Sequence, residues 1–425
     1  MFNVLVIAYY YPPLGLSGVQ RTLKFTKYMK EYGWSPTVIT TGKIAYFAYD
    51  QSLLQEAEDA NIEIIRTEAF NPSSVLKKGV VKMPSTWLMK VFSRISKTLF
   101  IPDNKLFWSK KATKLAEKLL QEKKFDAIFV SVPPFSSVSK ILSLKEKFNI
   151  PLFVDYRDAW LTNQFRFYPT PIHKYLHKRL EDKVLRTVDR TLVVNRAVKE
   201  DLLNEYKFLS FNDVDIFTHG FDPEDFNKVK PLPKEHDKMI LMYSGIFYED
   251  ITPKYVLKAF KKITQERPDI ASNIELHFVG HFKQENKKIV KKLKLDSFIK
   301  ELGYLTHIES VKQIISSDIL WLMLPNEDKM HNVTPGKLFE YFGTQKPILG
   351  CLPKGVSKRA LQEYEAAFIT KPDDVEEIKN EIIKIYKLYK TNKLPKPNLE
   401  YVANHNRKNL TEELTKIFQF YLKAE

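Results

Sequence analysis

The chain has 425 residues, enough for two or more domains, and 44% of them are apolar, so sizeable cores can form. Its net charge of +16 predicts attraction to polyanions, whether nucleic acid, anionic lipid or phosphorylated small molecules. The single cysteine, Cys351, excludes an internal disulfide framework and a cysteine-built metal centre.

The first residues, Met1 to Ala8, carry no basic segment and no small-residue cleavage site, so no signal peptide is expected. No uncharged apolar run approaches the ~18 residues of a membrane span. The expectation is a cytoplasmic protein that can still touch the inner face of the plasma membrane.

Asn3 to Ala8 is a short continuous apolar run, the pattern of a buried parallel strand. A loop from Tyr11 to Gly18 follows, and Val19 to Tyr32 then shows helical spacing closed by Gly33. Gly15 to Gly18 is not a G-x-G-x-x-G fingerprint. It reads either as a flexible turn, or as a phosphate- or acceptor-facing loop ending at Gly18, with Arg21 in the first helical turn. Thr37 to Thr40 and Ile62 to Arg66 repeat the strand signature.

Ala69 to Pro102 contains no acidic residue and carries Lys77, Lys78, Lys82, Lys90, Arg94 and Lys97. Trp87, Leu88, Val91, Phe92, Ile95 and Leu99 recur at helical spacing, with Lys90, Arg94 and Lys97 on another face. That is the layout of a helix lying on anionic lipid, centred on residues 77–101. It is equally the layout of a core-facing helix with a solvated basic side. In the first reading Phe165, Phe167, Tyr168 and Tyr175 extend the surface.

Helical spacing at Lys105 to Glu122 and Ile172 to Thr187 lies among strand signatures at Ala127 to Val130, Leu152 to Asp155 and Thr191 to Val194. Strands alternating with helices predict a parallel, doubly wound sheet. Arg157 and Asp158 stand just past a strand's C-terminal end, where α/β sites form. They read as an ion pair holding the loop, or with Asp158 orienting an acceptor hydroxyl or accepting its proton. His219 to Asp222 follows a strand at Ile216 and Phe217, and reads as a turn with Asp222 capping the next helix, or as a cleft group through His219.

Lys228 to Lys238 is charged and proline-bearing, the composition of an interdomain linker. The alternation then restarts with strands at Met239 to Tyr243, Ile274 to Val279, Phe298 to Glu301, Ile319 to Leu324 and Pro347 to Leu349. Helices are expected at Thr252 to Arg267, near Lys283 to Leu293, from Thr306 and from Lys337, with a long amphipathic one at Thr411 to Leu422. The predicted domains are 1–227, a linker at 228–238, 239–400, and a C-terminal helix within 401–425.

Ser244 and Gly245 end the first strand of the second half, where a glycine permits close backbone approach to a ligand. Gly303, Tyr304 and Leu305 end another, Tyr304 reading as packing or as a base-stacking ring. The densest stretch is Asn332 to Gly343, in which Asn332, Thr334, Pro335 and Gly336 lead directly into a helix. The N–H groups of a helix N-terminus form an anion site. Lys337 and Glu340, three residues apart, face the same side. One can hold a phosphate while the other holds hydroxyls, which suits a nucleotide-activated substrate.

Taken in order, Tyr-Tyr-Pro-Pro-x-Gly-x-x-Gly-Val-x-Arg (Tyr10 to Arg21), Asp-Tyr-Arg-Asp-Ala-Trp, His-Gly-Phe-Asp, Tyr-Ser-Gly and Thr-Pro-Gly-Lys-Leu-Phe-Glu-Tyr resemble the bacterial family 4 glycosyltransferases. The series spans nearly the whole chain. The resemblance implies a GT-B fold, two Rossmann-like domains facing across a cleft, with the C-terminal helix packing back on the first. It implies a hexosyltransferase that retains anomeric configuration and requires no metal or other cofactor. The donor would be a nucleotide sugar, with UDP-sugars favoured, and the acceptor a lipid-linked glycan in cell-surface polysaccharide assembly.

Carried onto this sequence, Glu340 matches the second glutamate of the family's E-x7-E pattern, which contacts the donor ribose. The first glutamate falls at Asn332, which can hydrogen-bond a sugar hydroxyl without supplying charge. Thr334 to Lys337 would cover the diphosphate, with Ser244, Gly245, Tyr304 and Leu305 beside it. The resemblance thus implies catalytic roles for Glu340, Asn332 and Asp158. Ile246 follows Gly245 where many members carry basic residues, which shifts phosphate charge onto Lys337. Ser131 to Pro134 stands where many members carry a histidine, so no catalytic histidine is named. Two other readings remain: another GT-B enzyme, such as a nucleotide-sugar 2-epimerase, and a basic nucleic-acid-binding protein. Nucleic acid is the less expected partner, since no RRM, KH or zinc-finger pattern is present.

Overall fold

The structure is a computed structural model that describes residues 1–46, 48–67, 79–80, 86–163, 166–247 and 250–422. Lys77, Lys78, Lys82 and Phe165 of the basic, aromatic stretch lie outside these residues, as do the side chains of Trp87, Leu88, Lys90 and Val91. The chain divides into two units, Met1–His219 with Arg407–Glu425, and Gly220–Asn406.

The first unit contains β1 (Phe2–Ala8), β2 (Trp34–Thr41), β3 (Ala45–Tyr46), β4 (Glu63–Thr67), β5 (Gly79–Val80), β6 (Ala127–Val132), β7 (Leu152–Tyr156), β8 (Arg190–Val193) and β9 (Val214–Ile216). Seven of these form one sheet in the order β4-β2-β1-β6-β7-β8-β9, parallel throughout, while β3 pairs with β5. Val4 to Ile7 are fully buried, as a strand covered on both faces requires. The chain leaves β1 through the Ser17–Met29 helix, pairs β2 on one side, and later places β6 on the other. That reversal beside β1 is the position where open α/β sheets build their sites.

The C-terminal helix, Arg407–Leu422, belongs to this first unit, as expected. Leu410, Leu414 and Phe418 recur every four residues and are buried. The Phe418 ring lies 4.6 Å from Phe153 and 5.2 Å from Trp34, and the Tyr421 hydroxyl donates to the Asp189 carbonyl. Truncating a ring so placed costs about 3–5 kcal/mol.

The second unit holds β10 (Met239–Ser244), β11 (Ile274–Val279), β12 (Ile299–Gly303), β13 (Ile319–Met323), β14 (Ile348–Cys351) and β15 (Ala367–Thr370). They form a six-stranded sheet in the order β12-β11-β10-β13-β14-β15, again all parallel. Here the reversal lies between β10 and β13. The stretch 228–238 lies inside this unit: the Leu232 N–H donates to Ser316 Oγ, and Lys234 pairs with Asp318 at 2.7 Å. The sequence reading passed over β15, an edge strand of four residues in which only Phe368 and Thr370 are buried. It also passed over the Phe135–Phe148 and Val375–Lys390 helices.

Candidate functional site

In the first unit, the polar residues beyond the strand ends are tied to one another. Arg21 and Asp155 are fully buried and form a bidentate pair, Nη2 to Oδ1 at 2.8 Å and Nε to Oδ2 at 3.0 Å. The same guanidinium donates to the carbonyls of Phe217 and Thr218 at 2.7 and 2.6 Å. Arg21 was expected to face an acceptor. Its guanidinium instead points inward and holds the backbone just before His219. Arg157 does not pair with Asp158 among the described residues. It donates to the carbonyls of Gly18 (2.6 Å), Pro133 (2.7 Å) and Val132 (3.3 Å). Gly18 lies in the first turn of the Ser17–Met29 helix, and a Cβ there would stand 2.4 Å from Arg157 Nη1, so a larger residue would displace the guanidinium.

Asp158 is exposed at the end of β7, and His219 is half-buried. Burial, and then the nearby cations Arg21, Arg407 and Arg157, hold the His219 imidazole well below its ordinary range, so it is neutral at physiological pH. The structure thus brings Gly18, Arg21, Arg157 and His219 together, with Arg157 bracing the start of the Ser17–Met29 helix at Gly18 and Arg21 bracing the segment that leads to His219.

The second unit is built differently. β10 ends at Ser244, whose N–H donates to the Tyr341 hydroxyl at 2.8 Å and whose Oγ lies 3.1 Å from Ser310 Oγ. Gly245 follows with φ of 120°, a conformation that favours glycine, and a Cβ there would stand 2.5 Å from Lys337 Nζ. After β13 the chain runs through a turn at Asp328–Met330 to the buried Asn332 and then to the Gly336–Thr344 helix. Pro335 occupies the cap position in an extended conformation and brings no side-chain hydrogen bond to the first turn. Thr334 and Pro335 are half-buried beside that turn. The helix therefore begins with orphan donors and a positive dipole end.

Lys337, in the first turn, folds back over the Tyr243 ring, its Nζ 3.8 Å from the ring centroid. That amine is buried and has no hydrogen-bond partner among the described residues. Burial pushes its pKa down to about 7, against the opposing pull of Glu340. Glu340 Oε1 is likewise buried without a hydrogen-bond partner among the described residues. Buried polar groups are nearly always satisfied, and a cation and a carboxylate left open side by side mark a place prepared for a ligand. Tyr304 and Leu305 follow β12, and the Tyr304 ring stacks on His281 at 5.4 Å.

Two residues of this site went unnamed in the sequence reading. His307, just inside the Thr306-capped helix, has Nε2 2.9 Å from Asp225 Oδ2 and Nδ1 3.6 Å from Glu340 Oε1. Its place immediately past the end of β12 was the available signal. Nothing local marked Asp225, which reaches His307 across 82 residues.

Residues 224–399 match a family model described as Glycosyl transferases group 1. That span contains every group of the second-unit cluster, from Asp225 to Glu340. Over the whole chain, the fold is similar to that of sucrose-phosphate synthase (tll1590) from Thermosynechococcus elongatus, with a TM-score of 0.69, 12% identity and all of both chains covered. It is similar to Anabaena Alr3699/HepE in complex with UDP-glucose, with a TM-score of 0.60, 11% identity and all of both chains covered. A third similar structure is described as a UDP-N-acetylglucosamine 2-epimerase from Listeria monocytogenes, with a TM-score of 0.58, 12% identity, and 100% of this chain and 97% of that one covered. No curated protein matches the chain in sequence. At such identities the likeness concerns the fold, which is the expected GT-B fold. The match to the Glycosyl transferases group 1 model falls within the second unit, the unit that carries the open Lys337 and Glu340 groups.

Proposed function

We propose that the protein transfers a hexose from a UDP-sugar to an acceptor hydroxyl with retention of configuration, without a metal ion. The observation that carries this reading is the pair of open groups on one helical face, Lys337 Nζ and Glu340 Oε1, beside Gly245 at the end of β10. As the glycosidic bond breaks, the departing nucleoside diphosphate gains negative charge. An uncapped helix N-terminus and the Lys337 ammonium stabilise that charge in a site already organised for it. Glu340 receives the ribose hydroxyls, and Asn332 is the neutral hydrogen-bonding group on the sugar side. HepE was solved with UDP-glucose, which favours a uridine donor here.

The acceptor side is assigned to the first unit, with Asp158 open to solvent just past β7 and the helix start at Gly18 beside Arg157. A lipid-linked glycan in bacterial surface polysaccharide assembly is the acceptor class, met at the cytoplasmic face of the membrane.

A thermal-shift series with UDP-, GDP-, ADP- and dTDP-sugars tests the donor, because a ligand that binds only the folded state raises the transition temperature by mass action. Selective stabilisation by UDP-sugars, abolished in Glu340→Ala, is the expected result. An undiminished shift in that variant would remove Glu340 from the donor site. A second reading draws on the cluster of His307, Asp225 and Glu340, since an imidazole between two carboxylates is the equipment a 2-epimerase requires. Conversion of a UDP-sugar without any acceptor would favour it.

A further inference from the structure

Seven of the fourteen exposed large apolar side chains among the described residues lie on two helices of the first unit and on the segment that leads from β7 into the second of them. Phe92, Ile95 and Leu99 project from the Thr86–Leu99 helix at spacings of three and four, so they share one face, and Phe92 and Leu99 are 64% and 69% exposed. Ile172, Tyr175 and Leu176 do the same on the first turns of the Pro171–Thr187 helix, with Ile172 at 68%. That helix buries a separate face, His177, Glu181, Val184 and Leu185, so the exposed stripe is additional to its packing side. The two elements adjoin. His173 Nε2 lies 3.1 Å from the Thr98 carbonyl, and the Arg94 guanidinium lies 5.3 Å from the centroid of the Phe167 ring, the seventh exposed group.

Cations surround this apolar stripe. Arg94 and Lys97 stand on the first helix, which has no acidic residue. On the second, the exposed stripe continues from Ile172, Tyr175 and Leu176 into Arg179 and Lys183, which form no ion pair among the described residues. Beside the junction lies a groove of about 480 Å³ lined by Ile101, Leu176, Arg179, Lys183 and Arg186, and its one acid, Asp182, is paired with Arg186 at 2.8 Å. Protruding apolar tips flanked by exposed cations, Arg179 and Lys183 among them, match a bilayer whose headgroups are anionic. A second copy of the chain would set like charges against like, which disfavours it as the occupant.

We propose that the face formed by the Thr86–Leu99 and Pro171–Thr187 helices docks this protein on an anionic lipid bilayer. The apolar tips enter the interface, and Arg179 and Lys183 meet lipid phosphates at the groove. The inference deepens the lipid-linked-acceptor reading and rests on it for its purpose. The surface itself is tested without any sugar.

The experiment is sedimentation of the full chain with phosphatidylcholine vesicles, with and without phosphatidylglycerol, at low and high salt. Wild-type protein should pellet with phosphatidylglycerol vesicles at low salt and be released by salt. Each surface cation contributes roughly a fivefold change in partition, so Arg179→Glu with Lys183→Glu should lower binding by about tenfold or more. The variant Phe92→Ser, Ile95→Ser, Leu99→Ser should lower it at low salt, with the phosphatidylglycerol content unchanged. Both variants should keep the wild-type thermal transition and the wild-type response to UDP, which separates lost docking from lost folding. Equal binding to neutral and anionic vesicles, no binding to either, or unchanged binding by both variants would overturn the proposal. So would a wild-type dimer in solution that these substitutions dissociate. Failure of UDP to bind without vesicles would count against the transferase reading and leave the docking face standing.

Discussion

Both units place charged residues just beyond the strand ends of a parallel sheet, and the two clusters differ in how those charges are answered. In the first unit Arg21 meets Asp155 at 2.8 Å, and both arginines reach backbone carbonyls. In the second, Lys337 Nζ and Glu340 Oε1 are buried without hydrogen-bond partners among the described residues. A satisfied buried pair braces the fold around it. An unsatisfied one carries a desolvation cost in the free protein that a ligand can relieve. The contrast separates scaffold from site among residues that look alike in sequence.

The largest effect is expected where charges are already paired. Asp155→Ala strands the Arg21 guanidinium in the core and should cost about 3–5 kcal/mol of stability, read from denaturant unfolding of the first unit. A loss below about 1 kcal/mol would show that the pair braces little. UDP affinity should stay at the wild-type level in whatever fraction remains folded.

Lys337→Met should do the reverse. Removing a charge-assisted contact to the diphosphate should weaken UDP binding by roughly tenfold to a hundredfold, the equivalent of about 1.5–3 kcal/mol. Ligand-free stability should hold or rise, because a buried amine without a hydrogen-bond partner leaves the interior while the methionine chain still packs on the Tyr243 ring. A variant that binds UDP normally but unfolds more easily would place Lys337 with the scaffold.

The pH dependence carries the same contrast. The folded-state pKa of Lys337, about 7, lies below its ordinary value of 10.5, so the unfolded chain binds more protons between those values. The contribution of Lys337 to ligand-free stability is therefore least favourable below about 7 and improves as pH rises above it. UDP affinity runs the other way, falling as pH rises through about 7, because the amine meeting the phosphate is then neutral. Lys337→Met should flatten both trends.

The smallest effect belongs to His307, which touches Glu340 and, through its other nitrogen, Asp225. A neutral imidazole has one N–H, so it donates to both carboxylates only when doubly protonated. His307→Ala should raise the Kd for UDP about fivefold by loosening Glu340, with kcat less affected. Combined with Glu340→Gln it should add little, since both substitutions act through one contact. Fully additive losses would mean that His307 does not work through Glu340.

What the sequence revealed follows from which contacts are local. The runs Asn3 to Ala8 and Ile274 to Val279 announce buried parallel strands because every residue must be apolar. The spacing of Lys337 and Glu340 announces a shared helical face because three residues make nearly one turn. Arg21 reaches Asp155 across 134 positions and His307 reaches Asp225 across 82, and no local spacing encodes such distances. For the same reason Arg21 looked like a ligand-facing group, when its partners lay in β7 and in the loop after β9. β15 is hard to see in the sequence because an edge strand of four residues, two of them only partly buried, has too short a run to distinguish from a turn.

The central claim is that the Lys337 amine is held ready for a diphosphate, and proton uptake tests it directly. Calorimetric titration of UDP at about pH 8, in two buffers of different ionisation enthalpy, reports the protons bound along with the nucleotide. The account predicts uptake approaching one proton per UDP in the wild-type protein and none in Lys337→Met. Identical enthalpies in both buffers for the wild type, with UDP bound equally well by the variant, would contradict it.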